Sequence, residues 1–182
     1  MADTASFSAA MLAGRTFTTN RPLLFVTING KDPGEEFQLT GSSNVVVHIR
    51  AVSVTPMHTI QIVQNGGVVR SITPPLPGND TTLNETITIS TASCWIAVRC
   101  LGNGTLLPID PLSAIAHTSP FYFILNGAPI RVEADVNQMI SCLNTIQPQE
   151  EAKVPGAYPQ IRAAFVEFFN QARAIYAGGA AQ

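Results

Sequence analysis

The stretch IQIVQNGGVVRSI (Ile60–Ile72) carries the clearest signal for the fold of this chain. In its first half the apolar residues Ile60 and Ile62 alternate with polar Gln61. After the central turn β-branched residues again dominate, as is typical of half-buried strands. The turn, Asn65-Gly66-Gly67, consists of residues that adopt positive φ at little cost, which a tight hairpin connection requires. The stretch therefore predicts a β-hairpin of two antiparallel strands.

The same period of two extends over most of the chain between Leu23 and Leu125. At positions 45 to 51 the odd-numbered residues are apolar, whereas His48 and Arg50 lie between them, so one face of this strand is predicted to be buried and the other polar. Five further strands are predicted, at Leu23–Ile28, Glu36–Leu39, Thr82–Ile89, Cys94–Leu101 and Phe121–Leu125. A total of about seven or eight short strands without interleaved helices predicts a mainly β protein with an antiparallel β-sandwich.

Helical periodicity is confined to the two ends of the sequence. A short N-terminal helix is predicted at Phe7–Ala13, ending at Gly14, and two more helices are predicted in the C-terminal part. In the first of these two, apolar residues recur at helical spacing over Val136–Leu143. Pro148 is predicted to end this helix, because proline lacks the N–H that the next turn needs.

The last helix is predicted to carry one apolar stripe, with Phe169 on its flank. The stripe consists of Ile161, Ala164, Phe165, Phe168, Ala172, Ile175 and Tyr176. Such a stripe has to be buried, either against the sandwich or against another domain or a second copy of the chain. The predicted organisation is thus a helix and junction at 1–22, a β-sandwich at 23–130, a helical appendage at 131–178 and a disordered tail at 179–182.

Composition excludes several classes of function. The net charge is −2 and no cluster of Lys or Arg is present, whereas nucleic-acid binding needs a concentrated cationic surface. No apolar run reaches the roughly 18 residues that a membrane span requires, and the N-terminus does not have the pattern of a signal peptide, so a soluble chain is expected. Charged residues make up only 12% of the chain, about half the usual share. Either another domain or a second copy covers part of the surface, or the many Thr, Ser, Asn and Gln residues solvate it.

The three cysteines, Cys94, Cys100 and Cys142, cannot form a complete set of disulfides. A strand between Cys94 and Cys100 would also hold these two about 20 Å apart, which is too far for a disulfide bond. Free cysteine is among the most frequently buried residue types. Cys94 and Cys100 are therefore predicted to fill core positions.

The sequence indicates no metal or cofactor site. Metal-dependent hydrolysis needs several His, Asp or Glu side chains that converge on a cation, and such sites are usually marked by close pairs such as His-x-His. The three histidines, His48, His58 and His117, are far apart in the sequence. His48 is predicted to face solvent and His58 to lie in a turn. No glycine-rich segment leads into a helix as a phosphate-binding loop would, and no small-molecule ligand is indicated.

The segment Ala116-His117-Thr118-Ser119-Pro120 puts hydroxyls beside a histidine and is the one place where nucleophilic catalysis has to be considered. A free-standing hydrolase that uses His117 and Ser119 is one interpretation, but the segment shows no strand-to-helix elbow and no acidic partner for the histidine. The favoured interpretation is structural. His117 and Thr118 are predicted to hydrogen-bond to the backbone in a turn before the strand at Phe121.

Trp95 alternates with Ala97 and Arg99 on one face of its predicted strand. If that face is exposed, Trp95 could form a platform on which a sugar ring stacks, and the domain would bind glycans or cell-surface ligands. The chain contains a single Trp and three Tyr, so a buried Trp95 is the favoured interpretation. Arg99 would then be an edge residue or a partner in an interdomain ion pair.

Four segments together resemble one known protein family. They are LAGRTFTTNRPLLFVTING (Leu12–Gly30), WIAVR (Trp95–Arg99), AHTSPFYFILNGAPI (Ala116–Ile130) and ARAIY (Ala172–Tyr176). In this order they resemble the C-terminal β-sandwich of CehA/McbA-type metallohydrolases, in the polymerase and histidinol phosphatase (PHP) superfamily. One departure is Arg21 before Pro22, where the family tends to have Gly. Because Arg21 adopts positive φ less freely than Gly, a local difference in this turn is expected.

The resemblance implies that Leu12–Gly30 is a junction between a catalytic domain and an accessory sandwich. It implies a parent that is a bacterial metal-dependent hydrolase of esters, amides or phosphoesters, either cytoplasmic or exported, whose catalytic residues lie outside this chain. The chain itself is then expected to be non-catalytic and to support or oligomerise the enzyme. Its partner is expected to be the catalytic domain or a second copy. The residues predicted to lie at such an interface are Arg15, Thr16, Asn20, Arg21, Trp95, Arg99, His117 and Thr118.

Overall fold

The computed structural model describes residues 3–75, 78–102, 113–156 and 158–178. The chain divides into two compact units, Met1–Ile130 and Arg131–Gln182. Over the described ranges the first unit contains one helix and ten strands, and the second contains two helices. The protein is therefore mainly β, with one N-terminal and two C-terminal helices, as predicted. The tail predicted at 179–182 lies outside the described residues.

The elements of the first unit follow the predicted strands closely. They are α1 (Thr4–Leu12), β1 (Phe17–Thr19), β2 (Leu23–Ile28), β3 (Glu36–Leu39), β4 (Ser43–Val52), β5 (Met57–Gln64), β6 (Gly67–Ile72), β7 (Asp80–Ile89), β8 (Cys94–Gly102), β9 (Ile115–Thr118) and β10 (Phe121–Leu125). The second unit contains α2 (Glu133–Glu151) and α3 (Pro159–Tyr176).

The strands form two sheets that enclose one core. The larger sheet has seven strands, and β8 lies in its middle. One edge of β8 pairs with β5, which in turn pairs with β6. The other edge pairs with β10 in its first part and with β9 in its last part, and these are followed by β3 and β1 respectively. The smaller sheet has three strands in the order β2-β4-β7. The inward residues of both sheets are almost fully buried, including Ile49, Ile62, Ile96 and Phe123, each at 0% exposure. The β-sandwich prediction is confirmed.

The hairpin predicted from Ile60–Ile72 is present, with β5 and β6 as its strands. Asn65 has a φ of 47° and Gly66 a φ of 83°, so both central residues are left-handed, as a type I′ turn requires. Asn65 also fixes the hairpin to β8, because its side-chain oxygen accepts the Trp95 N–H at 3.0 Å and its own N–H donates to the Trp95 carbonyl at 3.1 Å.

Two strands and one pairing were not expected from the sequence. β1 and β9 pair with each other over three residues each, so His117 and Thr118 lie in a strand and the prediction that they occupy a turn is wrong. β3 pairs with β10 in parallel, whereas the other paired strands among the described residues are antiparallel. Both features arise from contacts between distant segments, which local alternation does not reveal.

The N-terminal helix begins earlier than predicted, at Thr4 instead of Phe7. Asp3 caps it, because its carboxylate accepts the Ser6 N–H at 2.7 Å, and its hydrogen bonds with Ser6 lower the pKa of Asp3. The helix ends in a Schellman motif: Gly14, at φ 69°, donates to the Met11 carbonyl, and Arg15 donates to the Ala10 carbonyl. This motif fixes the direction in which the chain leaves the helix.

Two predictions for the C-terminal helices are wrong in detail. α2 continues through Pro148 to Glu151, because the last turn closes on the Pro148 carbonyl, which accepts the Ala152 N–H at 3.1 Å. In α3, Phe169 is the buried residue at 5% exposure, whereas Phe168 is 63% exposed and Ile161 and Ile175 are each 50% exposed. The predicted stripe is thus displaced by one residue, and part of it faces solvent. Within the described residues, neither helix is long and apolar enough to cross a membrane.

The cysteines differ in accessibility, which predicts their reactivity. Cys94 and Cys100 are buried, as predicted, and Cys142 is exposed. Burial raises the pKa of the Cys94 thiol and raises the pKa of Cys100 to about 11. Because the thiolate is the reactive form, a raised pKa slows alkylation at neutral pH. We expect iodoacetamide to modify Cys142 first and the other two only in denaturant, which peptide mass spectrometry measures. Early labelling of Cys100 would contradict this packing.

Candidate functional site

A cleft of about 470 Å³ lies beside β2, at the edge of the smaller sheet. Its lining comes from four parts of the chain: residues 15–17, residues 24–27 of β2, the Asp32-Pro33 turn, and His48 and Arg50 of β4. We call this the β2 cleft. Its volume lies in the usual range for ligand sites, which is about 300–1,000 Å³.

The register of β2 shows which backbone groups face the cleft. In an antiparallel pair, successive residues alternate between bonding to the partner strand and pointing away from it. Asn29 donates its N–H to the Val46 carbonyl at 3.0 Å, and the register continues through Thr27 opposite His48 and Phe25 opposite Arg50. Odd-numbered residues of β2 therefore bond to β4, and the even-numbered residues direct their backbone groups to the open edge.

Local hydrogen bonds occupy both ends of this edge, and only the backbone groups in its middle are free. Ile28 exchanges two hydrogen bonds with Lys31, each at 2.9 Å. Pro22 has no N–H, and its carbonyl accepts the Thr19 hydroxyl at 2.5 Å. Among the described residues, the edge-facing groups of Leu24 and Val26 have no hydrogen-bond partner. Their side chains are buried in the core, at 1% and 5% exposure, so it is their backbone that they present to the cleft.

The side chains around the cleft are aromatic and cationic. Phe17 contacts Phe25 edge-on, with ring centroids 6.1 Å apart, and Phe25 is 51% exposed. Arg15 is exposed and, within the described part of the chain, its guanidinium makes no ion pair. Arg50 pairs with Asp80 at 3.1 Å, and this hydrogen-bonded carboxylate raises the pKa of Arg50. Asp32 contributes the single negative charge of the lining.

Hydrogen bonds join the junction to residues 113–119, the segment that contains β9. The Thr16 and Ser119 hydroxyls lie 2.7 Å apart, and the Ser119 N–H donates to the Thr16 carbonyl at 2.9 Å. Asn20 donates to the Ser113 carbonyl at 2.9 Å and accepts the Ile115 N–H at 2.7 Å. Of the residues predicted at the junction, Arg15 and Thr16 therefore line the cleft, whereas Asn20 bonds to β9. Arg21, the next residue in the chain, donates its N–H to the Thr19 hydroxyl at 3.0 Å.

The outer face of the larger sheet brings together a second group of predicted residues. Arg99 lies directly opposite His117 on β9 and opposite Gln61 on β5, and its Nε donates to the Gln61 side chain at 2.6 Å. Earlier along β8, Trp95 lies opposite Tyr122 of β10. We call this surface the Trp95 face. The prediction that Trp95 belongs to the core is wrong, because it lies half-buried on the face opposite the core cluster.

Thr118 and His117 point to opposite sides of β9. Thr118 is buried at 1% exposure, and its hydroxyl accepts the Val98 N–H at 3.1 Å, so the predicted backbone hydrogen bond is present. His117 is exposed on the Trp95 face. The Ser119 hydroxyl has Thr16 as its neighbour, and the structure therefore does not bring Ser119 and His117 together as a hydrogen-bonded pair among the described residues.

Sequence reasoning did not identify the cleft. The sequence assigns His48 and Arg50 to the polar face of β4, and Arg15 and Thr16 to a junction. Nothing in their spacing indicates that α1 directs Arg15 toward β4. Among the described residues, no group of three or more His, Cys, Asp or Glu could hold a metal ion.

The free edge predicts a specific pattern of hydrogen exchange. Phe25 and Thr27 donate to β4, so their amides are expected to exchange slowly, whereas those of Leu24 and Val26 face the cleft and are expected to exchange faster. Amide exchange followed by NMR tests this, and the four residues serve as controls for one another because they share one strand. Equal protection of all four amides would show that another group occupies the edge.

No family model matches this sequence, and no curated protein is significantly similar to it. Among solved structures, the chain is similar to the crystal structure of a CARDB domain from Pyrococcus furiosus in complex with di-metal ions, with 18% identity and a TM-score of 0.37 over 60% of this chain and 99% of that one. A solution NMR structure of a CARDB domain from the same organism gives 16% identity and a TM-score of 0.35, over 57% of this chain and 95% of that one.

A Niemann-Pick type C2 protein from Japanese carpenter ant is also similar, with 13% identity and a TM-score of 0.29, over 59% of this chain and 98% of that one. At these identities and TM-scores the three structures carry no argument about function. None of them is described as a CehA/McbA-type hydrolase, so the resemblance to that family stays a prediction.

Proposed function

We propose that this chain is a non-catalytic β-sandwich interaction domain that docks against another folded domain through the Trp95 face. In line with the resemblance of its sequence, the proposed partner is the catalytic domain of a PHP-type metal-dependent hydrolase. The observation that carries the proposal is the position of Trp95 beside Tyr122 on an outer sheet surface.

The composition of the Trp95 face supports docking. Interfaces usually combine an aromatic centre with a polar rim, and Trp, Tyr and Arg carry much of their binding energy. Here Trp95 and Tyr122 lie opposite each other on neighbouring strands, with Tyr122 37% exposed, and the hydrogen-bonded Arg99 and Gln61 lie further along the same face together with His117. This arrangement puts three of the residues predicted at an interface on a single surface.

A binding assay with matched variants tests the docking. The chain is titrated with the separately expressed catalytic domain of a CehA/McbA-type hydrolase, and with itself in sedimentation experiments. We expect association that Trp95→Ala weakens by about tenfold or more, the usual effect of removing an interface Trp. Val46→Ala is the control, because Val46 is 46% exposed on the smaller sheet and lies away from the Trp95 face. Absence of both kinds of association would overturn the proposal.

A separate assay tests the absence of catalysis. The purified chain is incubated with Zn²⁺ or Mn²⁺ and with simple chromogenic esters and phosphoesters, and we expect only the background rate. Activity that survives repeated purification and disappears in His117→Ala or Ser119→Ala would contradict the proposal and favour a free-standing hydrolase.

A glycan-binding module is the second candidate, and the half-exposed position of Trp95 favours it. Sugar rings stack on exposed aromatic side chains, and Trp95 and Tyr122 occupy opposite positions on neighbouring strands. Titration with a panel of soluble oligosaccharides distinguishes the candidates. Glycan affinity that is lost in both Trp95→Ala and Tyr122→Ala, without domain docking, would replace the docking proposal.

A further inference from the structure

We propose that the β2 cleft binds an extended peptide segment that carries an acidic side chain, adding it as a further strand to the free edge of β2. This site is separate from the Trp95 face, and the proposal does not depend on what docks there.

The free edge has the length and pattern that strand addition needs. Leu24 and Val26 each offer one N–H and one C=O, and these two residues lie about 7 Å apart along the strand. Alternate residues of an extended peptide repeat at the same distance, so two peptide residues can pair with them at once. Pairing cannot continue in either direction, because Pro22 bonds to Thr19 and Ile28 bonds to Lys31. The site thus accepts a short segment and not a long sheet.

Most edge strands are protected against such pairing by charge, proline or a covering segment. Here protection exists at both ends of β2 and is missing in the middle, where the cleft of about 470 Å³ lies. The free backbone groups of Leu24 and Val26 therefore also have open space beside them. This combination distinguishes the β2 cleft from an ordinary sheet edge.

The walls of the cleft define the side chains that the peptide carries. Phe17 and Phe25 provide apolar contact on one side. Arg15, whose guanidinium makes no ion pair within the described residues, and Arg50 provide positive charge. Arg50 is paired with Asp80, and with Asp32 in the lining the formal charges around the cleft balance. Arg15 is therefore the cation that has no paired carboxylate in the described part of the chain. A peptide with one carboxylate near Arg15 and an apolar residue near Phe25 complements this lining.

A selection from randomised peptides of about seven residues tests the proposal without assuming a sequence. The intact chain is the target, and the affinity of recovered peptides is measured by fluorescence anisotropy. We expect recovered peptides to contain Asp or Glu and to bind about tenfold or more weakly when that residue is replaced by Lys. N-methylation of the peptide residues that face β2 is expected to abolish binding, because it removes the backbone donors.

Variants of the chain locate the site. Arg15→Glu is expected to weaken binding by about tenfold or more, whereas Arg162→Glu, the same charge change on exposed Arg162 of α3, is expected to have little effect. Bound peptide is also expected to slow amide exchange at Leu24 and Val26 selectively.

The following results would overturn the proposal: no peptide enriched on the chain over its Arg15→Glu variant, undiminished binding of N-methylated peptides, or a small carboxylate that occupies the cleft while peptides do not. Pairing of β2 with a second copy of the chain, seen as a dimer that protects Leu24 and Val26, would also overturn it. Neither a glycan at Trp95 nor a failure to dock through the Trp95 face would affect it.

Discussion

Replacing Phe123 by alanine is expected to lower the free energy of unfolding of the sandwich by about 3 to 5 kcal/mol, the usual cost of removing a buried aromatic side chain. Phe123 is 0% exposed, and its ring stacks on that of Phe37 with centroids 4.8 Å apart. Phe37 belongs to β3 and pairs in parallel with Phe123 itself. The substitution therefore removes core volume and one of the contacts that hold β3 to the larger sheet.

Chemical denaturation followed by Trp95 fluorescence measures this effect. Tyr122→Ala is the matched control: Tyr122 is the preceding residue of the same strand, but it faces outward and is 37% exposed. We expect it to cost about 1 kcal/mol. Similar losses for the two variants would contradict the assignment of inner and outer faces on β10. A double-mutant cycle with Phe37→Ala then separates the ring–ring contact from the cavity that each single change leaves.

The sequence predicted the strands whose side chains alternate, and the structure shows why. In β4 the residues at positions 45 to 51 that were expected to be buried are at most 1% exposed, because one face of this strand packs on the core along its whole length. β10 and β3 have the predicted bounds as well. Their parallel pairing could not be predicted, because alternation identifies faces and not neighbours.

The elements that the sequence did not reveal are those held by distant contacts. β1 and β9 are short and polar at Thr18 and His117. β9 pairs with β8 and with β1, and the Asn20 side chain bonds across to residues 113 and 115. Strands of three or four residues are too short for alternation to identify them in the sequence.

The candidate site was predictable only in part for the same reason. Arg15 and Thr16 were expected at an interface, and they line the β2 cleft. The contribution of β2 is backbone, and the side chains of Leu24 and Val26 look like ordinary core residues. A free backbone edge depends on which strand is last in its sheet, and that is a property of topology.

Similarly, the displacement of the α3 stripe toward Phe169 depends on where α2 lies, since Arg173 of α3 bonds to Asn144 of α2 at 2.7 Å.

Replacing Gly34 by alanine is expected to destabilise the first unit by about 3 kcal/mol or more, through a backbone clash at the junction. Gly34 has φ of 89°, and a Cβ atom there would lie 1.9 Å from the Ala13 carbonyl oxygen and 2.9 Å from Cα of Gly14. These are backbone atoms of the Schellman turn, so no side-chain rotation relieves the contact. The chain between α1 and β1 has to move, or the hydrogen bond from Gly34 N–H to the Pro120 carbonyl, 2.9 Å long, has to break.

Gly30→Ala separates the clash from the cost of the backbone conformation. Gly30 also has positive φ, at 76°, but nothing lies within 4 Å of the position that a Cβ atom would take there, so alanine is expected to cost only about 1 to 2 kcal/mol. Denaturant unfolding of both variants gives the comparison. Equal losses would show that the close approach of Gly34 to Ala13 is absent in solution.

The same pair of variants links the junction to the β2 cleft. Gly34 directly follows the Asp32-Pro33 turn, and the Gly14 that it contacts directly precedes Arg15. Because Arg15, Asp32 and Pro33 all line the cleft, a displacement at Gly34 is expected to move two of its walls together. At temperatures where both variants are folded, Gly34→Ala is therefore expected to shift the amide resonances of residues 15–17, and Gly30→Ala to leave them unchanged. Unchanged resonances in Gly34→Ala would mean that α1 does not set the position of Arg15.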